Sequence, residues 1–156
     1  MWKSKRNVRI RYTLLEPSSP SIPQDETDII DDLVSYQTLK SDAVSTVQGI
    51  DKAAGDGTSR GEWNWRGKGW LKIASSHWEI LGWGEEEEGG NKWMVTVFAK
   101  TLFTPAGIDV YSQAHAGLKA ETLKEIKFAL ANVGDADVKK MAETLFEIAT
   151  DDSRKD

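Results

Sequence analysis

The sequence predicts a mainly β domain, an antiparallel up-and-down β-barrel of about eight strands followed by two C-terminal α-helices. Three observations carry this. Residues 7–14 and 61–73 alternate side-chain character with period two, as a strand with one face on a core does. Short β-rich runs recur between clusters of Gly, Pro, Asn and Asp, at a spacing of roughly ten residues. After Gly117 the period lengthens to that of a helix.

In the first strand Val8, Ile10, Tyr12 and Leu14 share one face, and Asn7, Arg9, Arg11 and Thr13 the other. Residues 16–23 hold three of the four prolines, which predicts an irregular surface loop suited to covering one mouth of the barrel. Ile29, Ile30, Leu33 and Val34 have helical spacing, so residues 29–39 admit a short helical turn as well as a strand. Residues 34–39 and 44–50 are rich in β-branched side chains and read as a strand pair around Lys40, Ser41 and Asp42. Residues 56–59 close the next turn.

From Gly61 the alternation strengthens. Trp63, Trp65, Leu71 and Ile73 share one parity; Asn64, Arg66, Lys68, Trp70 and Lys72 share the other, and Gly67 and Gly69 mark a bulge or bend. Strands at 77–83 and 92–101 flank a polar hairpin loop, 84–91, whose glutamates are expected to be solvated. Thr104, Pro105, Ala106 and Gly107 suit a tight turn before a last strand at 108–112.

Leu123, Ile126, Leu130 and Val133 then define a helix over 120–133, with Gly134 just past its end. Asp135 or Asp137 caps a second helix over 138–149, carrying Val138, Met141, Ala142, Leu145 and Ile148 on one face. Residues 151–156 are expected to fray. The organisation is a single domain over 1–156, with the barrel at about 7–113 and a helical hairpin at about 119–150.

A chain of 156 residues with 39% hydrophobic and 29% charged side chains is long and apolar enough to bury its own core. No apolar run approaches the roughly 20 residues needed to span a bilayer. The basic N-terminal residues lack the apolar stretch of a signal peptide. Cysteine is absent, which excludes disulfides, thiol catalysis and cysteine-based zinc sites. A net charge of −5 disfavours nonspecific binding to nucleic acid. The expected location is cytoplasmic, with neither nucleic acid nor membrane as partner.

Seven tryptophans are present, and six of them fall within residues 63–93. Each indole combines a flat apolar surface with one N–H donor, which suits a pocket for a hydrophobic or aromatic molecule. By parity the ligand-binding set is Tyr12, Trp63, Trp65, Leu71 and Ile73, joined by Trp78 and Phe98 from the later hairpin. His77 and Glu79 lie two apart on a strand, so a catalytic use would pair an imidazole with the carboxylate that orients it. His115 has no such partner. The two histidines lack metal-ligand spacing, and Gly67, Lys68 and Gly69 lack the setting of a phosphate loop, so neither metal nor cofactor is expected.

Around Gly61, Glu62 and Trp63, a Gly-x-Trp tripeptide within a succession of short strands, the chain resembles the calycin superfamily of lipocalin and fatty-acid-binding barrels. The resemblance covers roughly residues 7–112 and lies in architecture more than in motif. Lipocalins carry the tripeptide in the first strand, whereas here it opens about the fourth. Fatty-acid-binding proteins place their helices between the first two strands, whereas here they come last. A haem-binding branch uses an axial histidine, which His77 or His115 would have to supply. A Bet v 1-like α+β fold is the alternative architecture.

The resemblance and the tryptophans together imply a non-enzymatic protein that encloses a small hydrophobic or aromatic molecule. Two other readings stand beside it: a cofactor-free isomerase, cyclase or lyase using His77 and Glu79 at the cavity, and a protein-interaction module. In all three no structural metal is required, so treatment with a chelator should leave the melting temperature unchanged.

Overall fold

The computed structural model describes residues 2–15, 29–54, 61–151 and 153–154. The proline-rich loop at 16–23 and the turn at 56–59 lie outside the described residues. One antiparallel sheet dominates. Its strands are β1 (Lys5–Leu15), β2 (Ile29–Thr38), β3 (Ser41–Ala53), β4 (Glu62–Gly67), β5 (Ser75–Glu85), β6 (Lys92–Phe98) and β7 (Gly107–Ser112). Each pairs with its sequence neighbour, so the order is β1-β2-β3-β4-β5-β6-β7, an up-and-down meander. The sheet curls into a half-barrel, and the helices α1 (Ala120–Asn132) and α2 (Ala136–Ala142) follow at the C-terminal side. The described strands number seven, one fewer than the sequence suggests.

Residues 29–38 form one continuous strand, not a helical turn. Helical spacing of four apolar residues loses to full pairing on both sides, with β1 and with β3. The strand read into 61–73 breaks at Gly67. Gly69 adopts φ +60°, and Gly69–Ile73 wind into a 3-10 helix. This overturns the inward placement of Leu71 and Ile73 by strand parity, and Ile73 is 72% exposed. Leu71 instead folds back over Gly67, where a Cβ would stand 2.6 Å from that of Leu71.

The two faces of the sheet carry different chemistry. Cross-strand partners share a face, so the rows Tyr12/Asp32/Gly49/Gly67, Leu14/Ile30/Asp51/Trp65 and Ala53/Trp63/Trp78/Phe98 all look into the curl. The convex side of β6 and β7 holds the apolar core. Val95 and Ile108 pack there against Ile126 and Leu130 of α1 and Val138 of α2. The helical stripe read from the sequence is the one buried.

Polar anchors fix the ends. Asp135 caps α2 by accepting from the Asp137 and Val138 N–H groups at 2.8 and 2.9 Å. No side chain of α1 caps its own start. Glu86, from the β5–β6 hairpin, accepts there from the Lys119 N–H (2.8 Å) and the Thr122 hydroxyl (2.7 Å), while Asn91 donates to its other oxygen. Glu86 is therefore buried, not solvated as its contiguous acidic run suggests.

α2 ends at Ala142, short of the predicted 149, because the following chain finds other partners. Asn7, at φ 51° in a bulge of β1, donates its N–H to the Ala149 carbonyl, and its side chain accepts from the Asp151 N–H. Arg154 donates to the carbonyls of Asn7 and Ser35. Asp151, Ser153 and Arg154 are thus anchored where fraying was expected. Among the described residues no helix is long and apolar enough to cross a membrane.

Leu130 is 6% exposed at the centre of the helix–sheet core. Leu130→Ala should destabilise the protein by roughly 2–5 kcal/mol in denaturant titration, as truncation of a packed leucine does. A cost below about 0.5 kcal/mol would mean that α1 adds nothing to the sheet.

Candidate functional site

The concave face gathers aromatic rings around buried acids. Trp78 on β5 stacks on its cross-strand neighbour Trp63 at 5.7 Å between ring centroids and 16° between planes. Tyr12 reaches it from the opposite wall, at 6.0 Å and 26°. Trp65 lies across Gly49: a Cβ at that position would fall 2.1 Å from the indole nitrogen. Only glycine there lets the ring lie flat against the strand. Of the residues predicted to line a ligand site, Tyr12, Trp63, Trp65, Trp78 and Phe98 thus share this face, whereas Leu71 and Ile73 belong to the 3-10 helix. The space expected beside Gly67 is occupied by Leu71.

His77 and Glu79 sit on the other side of β5. The imidazole contacts Glu79 and Asn64, each at 3.1 Å, and the two side chains are 38% and 47% exposed. They form the pair that their spacing predicts, but outside the curl. His115 is exposed in the connection between β7 and α1.

The acids were not anticipated. Asp31 and Asp32 are adjacent and project to opposite faces, so one strand places them in two environments. Asp31 is held by Lys68 (2.5 Å) and Gln48 (2.9 Å), and the Lys68 ammonium lowers its pKa. Asp32 faces inward. Burial, then the charge of Asp51, push its pKa up to about 7. Asp51 is 0% exposed and accepts from the Trp78 indole at 2.8 Å; burial raises its pKa to about 6. Further along, Tyr111 donates to Asp109 (3.2 Å) and accepts from Thr96 (3.3 Å), and burial raises the pKa of both Tyr111 and Asp109. Burial raises the pKa of the Tyr12 phenol as well.

Among the described residues, three polar atoms buried in this face have no hydrogen-bond partner: Asp32 Oδ1, Asp51 Oδ2 and Trp63 Nε1. Two are acceptors, or hydroxyl donors when protonated; one is a donor. Parity alone would have found the acids, since Asp32 shares a row with Tyr12 and Asp51 with Trp65. The rows are readable, however, only once 29–38 is taken as strand. Among the described residues no group of acids and histidines is arranged to hold a metal ion.

No family model, curated protein or solved structure matches the chain.

Asp32 and Asp51 hold their protons more tightly in the fold than in the unfolded chain. Their contribution to stability is therefore complete below the unfolded carboxyl pKa of about 4, and is lost as pH rises through about 6 and about 7. The melting temperature should fall by several degrees from about pH 5 to about pH 8. Asp51→Asn keeps an acceptor for Trp78 and should reduce that slope. A pH profile identical to wild type would show that Asp51 is ionised in the fold throughout.

Proposed function

We propose that the protein binds a small, flat, largely apolar molecule on the concave face of the half-barrel, without transforming it. The observation that supports this most is the set of unanswered buried polar atoms, Asp32 Oδ1, Asp51 Oδ2 and Trp63 Nε1, within an aromatic wall. A buried polar atom without a partner costs roughly 1–3 kcal/mol, so a molecule that answers it gains affinity. The complementary ligand is an aromatic body with an N–H group for Asp32 or Asp51 and an acceptor for Trp63. Tyr12 and Leu14, 38% and 53% exposed, mark the open edge by which it would enter. An architecture of calycin type fits this use, and the absence of cysteine fits a cytoplasmic setting.

A second reading, catalysis in the same space, draws on a different pair from the one predicted. His77 and Glu79 face away from the tryptophans, whereas Asp32, with a pKa of about 7, is poised for acid–base work near neutral pH. An isomerase or lyase built here would use Asp32 and Asp51.

Titration with aminoacridine, a flat aromatic amine, should quench tryptophan emission saturably at one site. Asp32→Asn and Trp63→Phe should each weaken binding by about tenfold, the cost of one lost buried hydrogen bond. Undiminished binding to both variants would place the probe elsewhere. An absence of binding across a library of flat aromatics would favour the interaction-module reading.

A further inference from the structure

We propose that the end of the half-barrel formed by the β2–β3, β4–β5 and β6–β7 connections docks onto an anionic lipid bilayer. In an up-and-down meander alternate connections lie at the same end, so these three are neighbours although far apart in sequence. Each presents large apolar side chains to solvent. Leu39 in the β2–β3 turn is 57% exposed, and Trp70 and Ile73 in the β4–β5 connection are 81% and 72% exposed. Leu102 and Phe103 in the β6–β7 connection are 75% and 56% exposed.

These side chains are held out by ordered backbone. The 3-10 helix is closed by Leu71 N–H to Lys68 O (3.1 Å) and Ala74 N–H to Leu71 O (2.8 Å). The Thr101 hydroxyl accepts from the N–H groups of Phe103 (3.0 Å) and Thr104 (2.9 Å), which fixes the tip carrying Leu102 and Phe103. Ala99 ties the β6–β7 connection to the start of β5, donating its N–H to the His77 carbonyl at 2.7 Å and accepting from the Ser76 hydroxyl at 3.2 Å. A contiguous exposed apolar patch of this kind marks an interaction surface.

Charge selects the partner. Lys40, Lys72 and Lys100 are exposed among the apolar tips, and a depression of about 310 Å3 lined by Ser4, Lys5, Thr38, Leu39 and Lys40 opens beside them. The neighbouring acids Asp42 and Asp151 are both paired with Arg6. At the opposite end the β5–β6 hairpin exposes Glu85, Glu87 and Glu88. A chain of net charge −5 thus carries a basic, apolar end and an acidic end. Tryptophan at headgroup depth flanked by lysines is the chemistry of an interfacial anchor on acidic lipid. The expectation of no membrane partner considered only spans within one segment; this surface exists only after folding.

Flotation of the whole chain with phosphatidylcholine vesicles containing phosphatidylserine tests the proposal. The protein should float with them, and should float less at high salt and with phosphatidylcholine alone. Trp70→Ser combined with Phe103→Ser should reduce binding at least tenfold, by about the loss expected for two inserted rings. Lys72→Glu should reduce it about fivefold or more. Trp83→Ser, altering an equally exposed residue (77%) on β5, should leave it unchanged. Failure to float with the acidic vesicles overturns the proposal, as does an equal loss in Trp83→Ser. Self-association abolished by Trp70→Ser, without vesicle binding, would assign the patch to a second copy of the chain and overturn it as well.

Discussion

The Trp78 indole is the contact on which the curl of the sheet depends. One face of the ring system meets Trp63 on the adjacent strand; Tyr12 approaches from the far wall, and the ring nitrogen donates to Asp51. A seven-stranded meander has no intrinsic reason to stop at this curvature, because its end strands are not hydrogen-bonded to each other. Stacking of Tyr12 on Trp78 across the curl stands in for the missing strand pairing. The glycine at 49 belongs to the same device, since a methyl group there would push Trp65 off the sheet.

The interior is therefore unlike the apolar core behind the helices. Val95, Ile108, Ile126, Leu130 and Val138 supply burial of the ordinary kind on the convex side. The concave side buries carboxyl groups that prefer to be neutral, beside indoles and phenols that can each satisfy only some of their oxygens. A domain seeking stability alone would fill that face with aliphatic side chains. That it does not is the physical basis for treating the face as a site and the helix–sheet layer as scaffold.

The period-two signal made most of this fold readable. Tyr12, Trp63, Trp65, Trp78 and Phe98 are assignable to one face because the period-two alternation holds through the paired stretches that carry them. Leu71 and Ile73 were not, since a single glycine at φ +60° ended the strand and only the backbone reveals that. Asp32 escaped notice because its segment could be given a helical period, and its partner Asp51 looks like any polar strand residue until Trp78 is placed over it. Glu86 was hidden in a run of like charges; its burial depends on the start of a helix that lies 33 residues away along the chain. Contacts of that range leave no local periodicity.

The knot of hydrogen bonds at Asn7 has a consequence for the order in which this fold can assemble. Its partners at Ala149, Asp151 and Arg154 lie as far as 147 residues along the sequence, and the bridge between Arg6 and Ala149 covers part of the outer edge of β1. During synthesis the meander can assemble strand by strand, each hairpin closing soon after it emerges. β1, however, waits with that edge open until residues 149–154 have been made. An unpaired edge is where strands of other molecules add. The interval between the synthesis of β1 and of residues 149–154 is thus a time in which a crowded nascent chain is exposed to misassembly, and it ends when Arg154 reaches Ser35.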